Sequence, residues 1–337
     1  MTGIIGSGSF GTATANLIAA NDDVLLYSRN PELVKKINTT RRHQGVDIRE
    51  RVTAVNSMEE VADRCDLIFP IVPSGSFRSM MRDLSPHLHP YHLLIHGTKG
   101  FDVREPEAGE AIGRKHIRTM SEVIREESVV VRIGCLSGPN LAREIMDGQP
   151  TATVIASHFR EIVERGKSAL NSRRFQVFGS GELLGAELAG ALKNTIAIGS
   201  GILGGMGMGK NIQALLITRG LNEMIAYGRA MGASPKAFVG TAGIGDLICT
   251  ATSPKSRNYT FGKRLGEGET MDEIIKSMPE LAEGLRTLKI AKQLAAHYEL
   301  HVPITQILHR VVYEGMEIQT AIDYLMRYPY DVDVDFL

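Results

Sequence analysis

The sequence predicts an α/β fold in two parts, a domain built on a parallel sheet followed by a mostly α-helical domain. Three observations carry this. Short apolar runs alternate with helical patterns through the first half, as in a sheet whose strands are joined by crossover helices. Strand signals stop near Gly181, and apolar residues then recur at helical spacing. The length, 337 residues, is about twice that of a typical domain.

Taken in order, residues 3–5, 24–27, 52–55, 67–72, 93–96 and 129–136 are near-continuous apolar runs, the pattern of strands covered on both faces. Runs 153–156 and 175–178 flank a helical segment at 158–170 and extend the sheet to eight strands. The first strand is short and holds Gly3, which favours fraying. A helix over 12–20 follows it. Ser57, with Glu60 three residues on, caps a helix over 58–64. Ser74 reads as the cap of a helix over 77–84. The domain boundary falls at 178–182, giving domains 1–180 and 181–337. In the second, Leu183, Leu184, Leu188, Ala191, Leu192 and Ile196 lie at helical spacing. Further helical segments lie near 211–231, 259–265, 271–277, 284–298, 304–313 and 318–325. The closing Asp331-Val332-Asp333-Val334-Asp335 reads as a solvated tail.

Lys+Arg and Asp+Glu are both 38, so the net charge is zero and no surplus favours nucleic acid or an anionic membrane. Cys65, Cys135 and Cys249 are odd in number and form no C-x-x-C pair, which predicts buried thiols and no disulfide framework or zinc site. No signal-like apolar region opens the sequence, and the weakly polar stretch Thr195 to Gly209 is too short to span a bilayer, so the expectation is a cytoplasmic chain. Glycine is in excess, 35 of 337 residues or about 10%, against a usual ~7%.

The first cluster of that glycine is Gly6-Ser7-Gly8-Ser9-Phe10-Gly11, a G-x-G-x-x-G between a predicted strand and a predicted helix. Gly6 permits the tight turn, Gly8 lets backbone approach a pyrophosphate, and Gly11 lets the helix pack on the strand. The helix start then offers free N–H groups to phosphate. This is the signature of a Rossmann-type dinucleotide-binding domain. The second strand ends in Ser28-Arg29, where an NAD-specific site usually has Asp or Glu. An arginine there can pair with a 2′-phosphate or stack on adenine, so both NADP and NAD are expected cofactors.

A second set of motifs lies further on. Thr98-Lys99-Gly100 follows a strand end. Leu192-Lys193-Asn194-Thr195 puts a lysine into an apolar helix, and Gly245-Asp246-Leu247, Thr250 and Ser256-Arg257-Asn258 form a polar run in the helical domain. Burial lowers a lysine's pKa toward a range useful in proton transfer, and a nearby Asp246 would partly oppose the fall. With Ser137-Gly138-Pro139-Asn140-Leu141-Ala142-Arg143-Glu144, Thr218-Arg219-Gly220 and Ala282-Glu283-Gly284, these stretches make the chain resemble the soluble bacterial NAD(P)-dependent sn-glycerol-3-phosphate dehydrogenases. The resemblance implies reversible hydride transfer between nicotinamide and C2 of a three-carbon phosphate, turning dihydroxyacetone phosphate into sn-glycerol 3-phosphate for phospholipid synthesis. It implies Lys193 as general acid/base. It implies Lys99, Gly138, Asn140, Asn194, Asp246, Thr250, Ser256, Arg257 and Asn258 at the substrate. It implies Gly6, Ser7, Gly8, Ser9, Phe10, Gly11, Arg29, Ala142, Leu281 and Glu283 at the cofactor, with Lys99 and Arg257 shared. It also implies a homodimer. The departures are Phe10 where relatives usually have Trp, Asn140 where they often have Ser or Thr, and a long segment over 102–127 that reads as a surface insertion.

The chemistry stands on the residues as well. Hydride arriving at a ketone carbon makes an alkoxide that needs a proton, which an ammonium in reach can supply. Lys99 is a cation that would help lower the Lys193 pKa, while Asn194 and Thr250 fix geometry. Arg257 offers phosphate a bidentate fork, helped by N–H groups where a helix begins at Asn258. No histidine sits in metal-ligand spacing, so no metal is expected. His96 reads as packing at a strand end, and His87, His89 and His92 as surface residues. Arg219 reads as structural, pairing with Glu223 at i,i+4. Met206 and Met208 read as packing. The runner-up is a related two-domain dehydrogenase acting on a 3-hydroxyacyl or 2-hydroxy-acid substrate, against which the Ser256-Arg257-Asn258 cluster argues. A non-catalytic dinucleotide sensor would keep Gly6, Gly8 and Gly11 but need no Lys193, Asp246 or Arg257.

Overall fold

The computed structural model describes residues 1–104, 112–278, 280 and 282–328. The chain divides into two compact units, residues 1–102 with 118–183, and residues 103–117 with those from 184 onward.

The first unit is built on an eight-stranded sheet of β1 (Thr2–Ile5), β2 (Val24–Tyr27), β3 (Val52–Val55), β4 (Leu67–Pro70), β5 (Leu93–His96), β6 (Ile133–Ser137), β7 (Thr151–Ala156) and β8 (Phe175–Ser180). Their spatial order is β8-β7-β6-β5-β4-β1-β2-β3. All neighbours run parallel except β6 and β7. Successive residues of a strand point to opposite faces, and the two cores follow that alternation. Ile4, Leu26, Phe69 and Ile95 enter one with α1 (Ser9–Ile18), α2 (Pro31–Thr40) and α7 (Arg160–Leu170). Ile5, Leu25, Ile68 and Leu94 enter the other with α3 (Met58–Arg64), α4 (Ser74–Leu84) and α5 (Met120–Glu127). A five-residue helix, α6 (Ala142–Met146), follows β6.

Ser57 caps α3 as expected, its Oγ accepting from Glu60 N at 3.1 Å. Several expectations need correction. The first strand is not frayed: β1 lies between β2 and β4 with all four residues buried, and Gly3 makes room for Val61, whose Cγ1 would lie 2.5 Å from a Cβ there. Ser74 is the first residue of α4 and not its cap, which is Pro73 without a side-chain bond. The helix expected over 12–20 starts earlier, at Ser9. The segment over 102–127 is no surface insertion in its second half. Met120, Val123 and Ile124 of α5 are core residues, and Arg78 ties Asp102 at 2.7 Å to Glu126 at 2.8 Å and to Glu127. His92 is fully buried, accepting His89 N on Nδ1 at 2.8 Å and donating from Nε2 to Ala62 O at 3.0 Å. Cys65 and Cys135 are buried, but Cys249 is only half-buried. The tail at 331–335 lies outside the described residues.

The second unit holds α8 (Leu183–Gly205), α9 (Lys210–Ala230), α10 (Asp246–Thr252), α11 (Arg257–Gly266), α12 (Met271–Ser277), α13 (Glu283–His297), α14 (Pro303–Tyr313) and α15 (Ile318–Arg327). From Leu188 to Ile202 α8 is buried on all sides, as a helix apolar all round must be. It crosses α11 backbone to backbone. A Cβ on Gly201 or Gly205 would lie 2.1 Å from Tyr259 O or 2.0 Å from Lys263 O, and one on Gly262 or Gly266 would lie 2.0 Å from Ile198 O or 2.3 Å from Ile202 O. Part of the glycine excess is spent on this crossing. Among the described residues, no helix is long and apolar enough to cross a membrane.

Candidate functional site

The glycine-rich loop leaves β1 at the carboxyl edge of the sheet, where the strand order reverses between β1 and β4. Ligands of open α/β sheets bind in that crevice. Gly6 has φ 120°, and a Cβ on it would lie 2.1 Å from Ile71 O. A Cβ on Gly11 would lie 1.9 Å from Gly6 O. Only glycine lets this turn close with α1 packed beneath it. Gly8, the N-cap of α1, differs: nothing lies within 4 Å of where its Cβ would be, so its backbone borders open space. Thr12 N is the first amide to reach a helical carbonyl, Gly8 O at 2.9 Å. The amides of Ser9, Phe10 and Gly11 are therefore the orphan donors of a helix start, at the positive end of its dipole. Open space beside a bare backbone, next to orphan amides, fits the diphosphate of a dinucleotide. The Phe10 ring packs at the end of β5, its Cε1 2.9 Å from a Cβ position on Gly97. Arg29 is exposed directly after β2, and Ser28 before it is buried.

Further along the same edge, Lys99 Nζ donates to Gly138 O at 2.9 Å, and Asn140 N donates to that carbonyl at 2.8 Å. The Asn140 side chain donates from Nδ2 to Thr153 Oγ1 at 2.8 Å, and that hydroxyl spends its proton on Ser137 O at 3.1 Å. The amide orientation is thus fixed by its partners, and it leaves Oδ1 buried as an acceptor with no partner among the described residues. Ala142 opens α6.

In the second unit Lys193 lies on α8 with its side chain 5% exposed. Burying an ammonium demands a partner, and Asp246 Oδ1 accepts from Nζ at 2.5 Å. Thr250 Oγ1, one turn along α10, also accepts from Nζ and donates to Asp246 Oδ1 at 3.4 Å. The π-helical turn Thr241–Gly245 delivers Asp246 to the start of α10, where a carboxylate is favoured. Asn258 of α11 donates to Asn194 Oδ1 and accepts from Gly284 N, both at 2.9 Å, so one amide braces α8, α11 and α13. Ser256 caps α11, its Oγ accepting from Tyr259 N at 3.3 Å. Arg257, in the first turn of α11, is about half exposed and meets Glu280 at 2.5 Å.

Two family models match in order, the N-terminus of NAD-dependent glycerol-3-phosphate dehydrogenase over residues 2–163 and its C-terminus over 182–323. The chain belongs to the NAD-dependent glycerol-3-phosphate dehydrogenase family. It is 40% identical to the glycerol-3-phosphate dehydrogenase [NAD(P)+] of Ectopseudomonas mendocina over 99% of this chain and 96% of that one. The protein of that name from Pseudomonas aeruginosa strain LESB58 is also 40% identical, with the same coverage. The crystal structure of glycerol-3-phosphate dehydrogenase from Coxiella burnetii matches with a TM-score of 0.87 at 30% identity, covering 97% of this chain and 98% of that one.

Within this family member, each unit gathers its own share of the residues singled out from the sequence. The first brings Gly6 to Gly11 together as one loop, and Lys99, Gly138 and Asn140 as one hydrogen-bonded group. The second joins Lys193, Asp246 and Thr250, and separately Asn194 and Asn258. Glu283 begins α13, and Leu281 lies outside the described residues. Sequence reasoning missed Glu280, the partner of Arg257, and missed His43 and Gln44, which touch the glycine-rich loop. Gly45 after them was the only turn signal.

Proposed function

We propose that the chain catalyses the reversible, NAD(P)H-dependent reduction of dihydroxyacetone phosphate to sn-glycerol 3-phosphate, a step that supplies glycerophospholipid synthesis, with Lys193 as general acid/base. The observation that carries the reading is the buried Lys193 ammonium held by Asp246 and Thr250, in the same unit as an arginine at a helix start. When bound, the nicotinamide supplies the hydride that C2 of the ketone receives. Lys193 delivers a proton from Nζ to the oxygen as it becomes an alkoxide, and in the reverse direction its neutral amine takes that proton back. Asp246 and Thr250 both accept from the ammonium and so fix where Nζ lies. Arg257 exchanges Glu280 for the substrate phosphate, joined by the first amides of α11. Lys99 and the free acceptor Oδ1 of Asn140 bind the hydroxyl end of the substrate.

Lys193→Met tests this, keeping most of the buried stem while removing the proton donor. Turnover falls by about 10²–10⁴-fold, and NADPH affinity, read from the cofactor's own fluorescence, stays within about twofold. Turnover near that of the wild type contradicts the assignment.

A further inference from the structure

The connection between α2 and β3 folds back as a hairpin over the glycine-rich loop. Arg42–His43 pairs with Val46–Asp47 across Gln44-Gly45, whose φ values of 53° and 76° match a type I′ turn. The hairpin is anchored on two sides. Arg41 donates to Val52 O at 2.9 Å and Ile48 O at 3.4 Å. Asn16 of α1 donates to Asp47 O at 2.9 Å and accepts from Arg49 N at 3.1 Å.

Its tip meets the fingerprint at two non-glycine positions. His43 Nε2 lies 2.7 Å from Ser7 O, and since a carbonyl only accepts, Nε2 donates. Thr12 Oγ1 donates to the same carbonyl at 3.4 Å. Ser9 Oγ donates to Gln44 Oε1 at 3.3 Å. A trans peptide is planar, so holding the Ser7 carbonyl also fixes the Gly8 N–H, which points the opposite way. Gly8 is the residue whose backbone borders open space.

We propose that this hairpin is a strap that preorganises the glycine-rich loop for the dinucleotide diphosphate, with His43 as its positioning residue. The inference rests on the dinucleotide reading of the loop. Glycine gives such a loop wide conformational freedom, and ordering it during binding weakens affinity. His43 and Gln44 hold it ordered beforehand. The effect falls on cofactor affinity and spares proton transfer, because Lys193 belongs to the other unit.

The test is NADPH and NADH binding to the full-length chain, followed by cofactor fluorescence since the chain has no tryptophan. His43→Ala raises Kd for both by about three- to tenfold, the loss of one hydrogen bond. kcat at saturating cofactor and KM for dihydroxyacetone phosphate stay within about twofold of wild type. His43→Gln, whose side-chain amide can donate to Ser7 O, recovers most of the affinity. Unchanged binding by His43→Ala overturns the strap alone, as does His43→Gln binding no better than His43→Ala. A loss confined to NADPH overturns it too, since His43 would then read the 2′-phosphate. A wild type that binds neither dinucleotide overturns the site itself.

Discussion

Arg257 is paired with a carboxylate, Glu280. Its partner Glu280 is about as exposed as Arg257 itself, so the pair is screened by solvent and is readily exchanged. A guanidinium can grip a phosphate with two parallel N–H groups, which an ammonium cannot. Arg257→Lys therefore raises KM for dihydroxyacetone phosphate by about tenfold or more, one bidentate contact, while leaving the rate with unphosphorylated dihydroxyacetone little changed. Equal loss on both substrates would show that Arg257 does not read the phosphate. The end of β2 presents Arg29 with no carboxylate beside it in Ser28-Arg29-Asn30. Arg29→Ala is expected to weaken NADPH more than NADH in kcat/KM, because only NADPH loses a charge-assisted contact. A variant that loses both equally would place the arginine on the adenine face instead. The place of each residue was legible in the sequence, Arg29 directly after a strand and Arg257 where a helix begins. His43 was not, because its partner is a backbone carbonyl 36 positions away and no spacing rule connects them.

Among the elements, α14 depends on a carboxylate from α9. Glu223 accepts from Ile304 N, from Thr305 N at 2.9 Å and from Thr305 Oγ1 at 2.8 Å, so it serves as the cap of a helix that begins with Pro303. The i,i+4 pairing with Arg219 expected from the sequence is replaced by this longer-range role. Burial pushes Glu223 up from 4.5 to about 7, against the opposing pull of those donors. A raised carboxyl keeps its proton in the folded chain at a pH where the unfolded chain has lost it, so the folded state binds more protons. Stability is then fullest below about 4.5 and is lost as pH rises through about 7. Glu223→Gln, which cannot ionise, flattens that slope: the wild type has the higher melting temperature at the acidic end, and the gap narrows toward the alkaline end. A gap independent of pH would show that Glu223 does not titrate in this window. Local rules found α3 and its Ser57 cap because both are written within four residues. They failed at Ser74, where Pro73 sets the helix start, and they could not see that glycines on α8 and α11 face each other, since helical periodicity does not record which backbone lies opposite.

For the whole molecule, the strands of the sheet were the most legible feature, because buried parallel strands appear as continuous apolar runs. The antiparallel turn between β6 and β7 and the core role of α5 were not legible, since both depend on partners distant in sequence. In the proposed function, the dinucleotide belongs to the sheet unit, and the proton donor and phosphate grip to the helical unit. Each assignment fails differently. Without the first the chain binds no dinucleotide, and without the second it binds one and reduces nothing. The most direct measurement is the rate of NADPH oxidation by the purified chain with dihydroxyacetone phosphate, compared with acetoacetyl-CoA and with no added substrate. Rapid oxidation with the phosphorylated ketone alone, yielding sn-glycerol 3-phosphate, is the result expected. Oxidation with acetoacetyl-CoA at an equal or greater rate, or NADPH binding without turnover of either, would contradict it.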